Sequence, residues 1–194
     1  MFAQVFGGLD ESIWRFWADL DVAWVHSLAR FVSGAGTQAV LLPAAIFAGI
    51  AVWVGSRRIL PAAAPWLAVQ ADALLVARMK GWFGVERPPV AEMVRPVHNA
   101  AFPSGHAANT TALLVAVAVV VGATAPAHVG RRTRALAVVG AAAVGWSRLA
   151  LNVHWFSDVV GGWALGVLVG WTVARALLIP GSGRLRHRDG SAAE

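Results

Sequence analysis

Five apolar stretches, each close to the ~20 residues that a helix needs to cross a bilayer, constrain this chain more than any other feature. They run Thr37 to Val54, Leu60 to Met79, Ala107 to Ala125, Ala135 to Val153 and Val159 to Ile179. The composition agrees: 58% of residues are hydrophobic and 13% charged, against about 25% charged in a soluble domain. These features predict an all-α integral membrane protein, a bundle of about five transmembrane helices.

The net charge of +6 would suit nucleic acid, but the arginines fall in short segments between and after the apolar stretches. Arg57 and Arg58 form one group, Arg131, Arg132 and Arg134 a second, and Arg184, Arg186 and Arg188 a third. Such grouping marks membrane orientation, so no nucleic-acid partner is expected. If all five stretches span, the three groups share one side. The positive-inside rule makes that side cytoplasmic, with the C-terminus inside and the N-terminus outside. Lys80, Arg87, His106, Arg148, His154 and Asp158 then gather at the outer face. An even number of spans, with an N-terminal helix inserted, is the competing arrangement.

The opening MFAQVFGGLDES has neither the basic nor the apolar region of a secretory signal. From Ile13 to Phe31 apolar residues recur every three or four positions, with Arg15, Asp19, His26 and Arg30 on the opposite face. Burying those charges would cost roughly 2.5 to 3.5 kcal/mol each near the bilayer centre, so an interfacial amphipathic helix is expected, or a packing helix of the soluble kind. The organisation reads as one membrane domain over 1–180, with the interfacial helix within 1–33, and a basic cytoplasmic tail over 181–194.

The stretch WSRLALNVHWFSDVVGG, Trp146 to Gly162, sets Arg148, His154 and Asp158 at the edge of an apolar segment. If Asp158 opens a helix, its carboxylate shares a face with His154, fixes one imidazole tautomer and raises the basicity of the other nitrogen. A guanidinium nearby offers donors suited to phosphate oxygens. Taken alone, the stretch fits nucleophilic attack on phosphorus or a polar helix boundary. In KGWFGVERPP, Lys80 stands seven positions before Arg87 and is the only lysine of the chain. One ammonium among arginines suits a place where a point charge meets a phosphate oxygen, or a lysine snorkelling at a helix end. In AFPSGHAANTT, Ser104 and Gly105 precede a helix whose free N–H groups suit an anion, with His106 beside them as a possible acid.

Together, K-x6-R-P, P-S-G-H and S-R-x5-H-x3-D, in this order and separated by spans, resemble the signature of the type 2 phosphatidic acid phosphatase superfamily. That family includes membrane lipid phosphate phosphatases, soluble bacterial acid phosphatases and vanadium haloperoxidases. The resemblance implies that Lys80, Arg87, Arg148, Ser104 and the Gly105 N–H bind phosphate oxygens. It further implies that His154 attacks to form a phosphohistidine, that Asp158 holds its other nitrogen, and that His106 protonates the leaving group. Many membrane relatives have six spans, and here the first would be missing or replaced by the interfacial helix.

Several chemistries are not expected. Without cysteine there are no disulfides, thiolate metal sites or cysteine nucleophiles. The ten acidic residues are scattered, so no two-metal site and no cofactor is expected. The expected function is hydrolysis of a membrane lipid phosphate at the extracytoplasmic face of the cell membrane, with a polyprenyl (undecaprenyl-type) diphosphate first. Phosphatidate, phosphatidylglycerophosphate and polyprenyl-phosphoribose phosphate follow. A lipid phosphotransferase would use the same residues; a non-catalytic scaffold or transporter would have no reason to assemble them. Gly162, Gly166 and Gly170 recur every four residues and predict close helix packing. Asp72 and Gln70 fall inside a span, where a carboxylate suggests function or a hydrogen bond to another helix or to Arg78.

Overall fold

The computed structural model describes residues 2–89, 91, 93–94 and 96–178, with the side chains of 2–5 left aside. The third arginine group, the end of the last predicted span and the predicted tail therefore lie outside the described residues. The described chain is all helical: α1 (Phe2–Asp19), α2 (Ala23–Ala35), α3 (Gln38–Ser56), α4 (Ile59–Phe83), α5 (Gly105–Thr124), α6 (Ala127–Ala150) and α7 (Phe156–Leu178).

Helix α5 is the axis of the bundle, packed against α3, α4, α6 and α7. Its closest partner is α7, and the glycine series explains how. A Cβ on Gly162 would stand 2.7 Å from the Ser104 carbonyl oxygen, on Gly166 2.4 Å from that of Ala108, and on Gly170 2.5 Å from that of Ala112. Backbone meets backbone here, so the predicted packing role holds and any larger residue must push the helices apart. Small buried residues continue the core, with Ala64, Ala68, Ala112, Ala116 and Ala174 around Val52 and Val120. Phe47, Leu74 and Leu168 point outward and are well exposed, the reverse of a soluble bundle and suited to lipid.

Four of the helices, α3, α4, α5 and α7, are long and apolar enough to cross a membrane. The fourth predicted span coincides with α6, which begins earlier, at Ala127 instead of Ala135, and is not among these four. It takes Arg131, Arg132 and Arg134 into its first turns, because arginine is a good helix former and nothing interrupts the helix there.

The single helix expected from Ile13 to Phe31 is instead two, broken at Leu20–Val22. The reason is tertiary. α1 touches both α7 and α6, whereas α2 buries Val25, Ala29 and Ser33, packs mainly on α6 and makes no substantial contact with α7, so the break lets α1 turn towards α7. Of the two readings offered for Asp72, the hydrogen bond to another helix or to Arg78 is not made among the described residues. Its carboxylate is fully buried in α4 with neither oxygen partnered, and Arg78 faces outward.

Candidate active site

The polar residues gather where α4 and α6 end and α5 and α7 begin. Gly84, at φ 55°, adopts the left-handed conformation that closes a helix, and its N–H reaches the Lys80 carbonyl. That stop leaves Lys80 in the last turn of α4, where its ammonium donates to the carbonyls of Ala100 and Ala101. Ser104 is the N-cap residue of α5, and its side chain makes no cap bond. Its hydroxyl is fully buried and has no partner among the described residues, beside the first-turn N–H groups of Gly105 and His106. Such a cradle suits an anion. Arg148 lies buried in the last turn of α6. Asn152, at φ 53°, turns the chain after it, and His154 follows.

The geometry assigns the tautomer of His154. Its Nε2 lies 3.1 Å from Arg87 Nη1 and its Nδ1 lies 3.1 Å from Asp158 Oδ2. A guanidinium has only donors, so Nε2 must accept and Nδ1 must carry the proton that it gives to Asp158. The lone pair therefore points towards the cations. Burial first, then Arg87, Arg148, Lys80 and His106, push the His154 pKa well below the usual histidine range. At neutral pH it is an uncharged base. Arg87 keeps its charge at any physiological pH. It is held by the Asn99 carbonyl at 2.8 Å, the Asn99 side-chain oxygen at 2.7 Å and the Val153 carbonyl.

All eight residues singled out from the sequence, Lys80, Arg87, Ser104, Gly105, His106, Arg148, His154 and Asp158, thus lie at one end of the bundle. The Ser104 N–H donates to the Asp158 carbonyl at 3.0 Å, joining the anion cradle to the histidine pair. Four further residues were not anticipated. Asn99 holds Arg87, Ser33 on α2 accepts from the Arg148 guanidinium, and Asp10 on α1 accepts from Ser157. Gly36, between α2 and α3, leaves no room for a Cβ, which would fall 3.0 Å from the His106 ring and 2.9 Å from Val144. An apolar cavity of about 770 Å³ borders Asp158, walled by Trp14, Phe83, Phe102, Trp155 and Val160.

A neutral, oriented imidazole facing three fixed cations and a helix N-terminus is equipped to attack phosphorus while the oxygens are held. Comparison with known proteins points the same way. The chain is 27% identical over 162 residues to phosphatidylglycerophosphatase B of Bacillus subtilis (strain 168), covering 82% of this chain and 79% of that one. The crystal structure of a transmembrane PAP2 type phosphatidylglycerolphosphate phosphatase from Bacillus subtilis superposes with a TM-score of 0.81 at 25% identity, covering 90% of each chain. Aquifex aeolicus LpxE shares the fold, with a TM-score of 0.67 at 22% identity, covering 86% of this chain and 95% of that one. The profile of the PAP2 superfamily matches residues 61–178, more than half the chain and all eight of the residues singled out from the sequence. The chain therefore belongs to the PAP2 superfamily and is a multi-pass membrane lipid phosphatase.

Proposed function

We propose that the chain removes a terminal phosphate from phosphatidylglycerophosphate through a phosphohistidine, without a metal ion. The observation that carries the chemistry is the buried His154–Asp158 pair, with the Nε2 lone pair turned towards Arg87. The substrate reading rests on the relatives, which match over most of both chains and bear that lipid in their names. The polyprenyl diphosphate expected first from the sequence takes second place on that ground.

In the free enzyme Arg87 donates to Nε2; a phosphate dianion competes for those donors and releases the lone pair. Nε2 attacks phosphorus as the bond to the lipid oxygen breaks. The bond electrons go to the leaving oxygen, which takes a proton from His106. Water then attacks the phosphohistidine, giving a proton to His106, and the P–N bond breaks back to Nε2. Lys80, Arg87 and Arg148, with Ser104 and the Gly105 N–H, hold the equatorial oxygens throughout, the task that a metal performs in other phosphoryl-transfer sites. Asp158 keeps the proton on Nδ1 and balances the charge that develops on the ring. Among the described residues no three His, Asp or Glu side chains converge as metal ligands would.

The site is read as extracytoplasmic. Arg57 and Arg58 precede α4 while Lys80 ends it, and Arg131 lies about 25 Å along α6 from Arg148 at 1.5 Å per residue. The basic turns and the site are thus at opposite ends of the same helices, and the positive-inside rule puts the turns in the cytoplasm. His98→Cys should react with an impermeant thiol reagent in intact cells and Gly55→Cys should not; the reverse pattern overturns this orientation.

The deciding experiment counts phosphate released by purified protein from phosphatidylglycerophosphate, phosphatidate, a polyprenyl diphosphate and a polyprenyl-phosphoribose phosphate, with excess chelator present. The highest kcat/KM should fall on phosphatidylglycerophosphate. Preference for the diphosphate would overturn the substrate, and transfer of phosphate to a second lipid instead of water would make the enzyme a phosphotransferase. Activity lost in chelator and restored by magnesium would defeat the mechanism, and no turnover of any lipid would favour a scaffold.

A further inference from the structure

The start of α7 lacks half of its cap. Trp155 occupies the N-cap position, and an indole has no acceptor to offer the free N–H groups of the first turn. One half of a capping box is nonetheless present. Asp158, three residues on, reaches back to accept the Trp155 N–H at 2.9 Å, using the same oxygen that receives His154 Nδ1–H. The other half comes from a different helix. Asp10, on α1, accepts the Ser157 N–H at 2.8 Å through Oδ1 and the Ser157 hydroxyl at 2.7 Å through Oδ2. Asp10 is only 8% exposed, which is unusual for an aspartate and shows that the contact is built in. Trp14, one turn further along α1, packs edge-on to Trp155 with ring centroids 6.1 Å apart. α1 thus grips the four-residue turn His154–Ser157 that joins the histidine to its aspartate partner.

We propose that Asp10 is a positioning residue for the reaction. It caps α7 from outside that helix and so sets the turn that aims Asp158 at His154. This rests on His154 being the nucleophile. A carboxylate at a helix N-terminus is favourable in itself, but this one stands where a small rotation of the turn would swing the Asp158 oxygen off the imidazole. Among the described residues Asp10 bonds to the turn before Asp158 and to no residue of the phosphate cradle, so the larger effect is expected on kcat.

The test is steady-state kinetics of the full-length protein on phosphatidylglycerophosphate, with thermal unfolding measured in parallel. Asp10→Ala should lower kcat by roughly 10- to 10²-fold, the scale of an ångström misplacement, while KM holds. Asp10→Asn keeps an acceptor for the Ser157 N–H and should restore most of kcat, since Asn caps about as well as Asp. An unchanged kcat in Asp10→Ala, a rise in KM alone, or an Asn variant as damaged as Ala would overturn the proposal. If Asp10→Ala does not fold, Ser157→Ala decides, because it removes only the hydroxyl bond. A kcat lowered at unaltered unfolding temperature supports the proposal, and an unaltered kcat refutes it. His154→Ala, measured alongside, keeps the two readings apart. Turnover surviving in that variant defeats the nucleophile assignment, whereas with that variant dead the Asp10 series judges Asp10 alone.

Discussion

Between Lys80 and Asp158, every polar side chain at the site sits on a helix end or in a loop close to it, whereas α1 and α2 reach the same place from far off. Ser33 meets Arg148 across 115 residues and Asp10 meets Ser157 across 147. The two regions also differ in kind. The later one supplies groups with chemistry of their own, a lone pair, a second imidazole, cations and the first-turn N–H groups of a helix. The earlier one supplies acceptors and a close approach, which do nothing by themselves and act through what they hold. Chemistry in this molecule is thus compact in sequence, and its support, Asn99 apart, is dispersed.

That contrast can be broken by experiment. The largest effect should come from the centre of the later region. His154→Ala should abolish turnover of every lipid phosphate and prevent any phosphoenzyme from being trapped with radiolabelled substrate; a trapped phosphoenzyme would move the nucleophile elsewhere. His106→Ala comes next. General acid catalysis is worth about 10² to 10⁴ in rate, so a loss of that size is expected on a monoester such as phosphatidate. A polyprenyl diphosphate should suffer distinctly less, because its leaving group is already a stable anion. Equal loss on both substrates would deny His106 the role of acid.

Smaller effects belong to the N-terminal region. Ser33→Ala removes one acceptor from Arg148, a hydrogen bond to a charged group worth about 1.5 to 3 kcal/mol, part of which solvent or substrate replaces. The expected result is a rise in KM of roughly tenfold at most, with kcat little changed. A loss as large as that of His106→Ala would end the distinction between chemistry and support.

The smallest effect is on pH dependence. The folded pKa of His154 is depressed by burial and by its cations, while in the unfolded chain it gains a proton near about 6.5. Above that pH its contribution to stability is fully present. As pH falls below about 6.5 towards the folded pKa, the unfolded state binds the extra proton and stability declines, by at most about 1.4 kcal/mol per pH unit. Unfolding temperature should therefore fall in mild acid, less so in His154→Gln, while His154 itself remains neutral and competent. An identical slope in both proteins would show that His154 is not the group responsible.

How much could be read from the sequence follows the same division. The spans were legible from length and apolarity, and the glycine series in α7 from its spacing, because membrane helices and backbone contact each leave a local mark. The grouping of Lys80, Arg87, His106, Arg148, His154 and Asp158 was legible because helix direction alternates and brings alternate loops to one side. Asp10, Ser33, Gly36 and Asn99 were not. An aspartate in GLDES or a serine in a packing helix has no local peculiarity; its meaning lies in a partner that only folding supplies. The break at Leu20–Val22 was hidden for the same reason, since periodicity reports which face is apolar and not how many neighbours that face must meet. Asp72 was legible as an intramembrane carboxylate, and its lack of a partner among the described residues was not, because partners too are supplied by folding.

The Ser104 N–H on the Asp158 carbonyl, with Gly162 seated against the Ser104 carbonyl, fastens the start of α5 to the start of α7 backbone to backbone. That joint is made of main chain alone, so no single side-chain replacement at Ser104 or Asp158 removes it, whereas any residue larger than glycine at position 162 wedges it open.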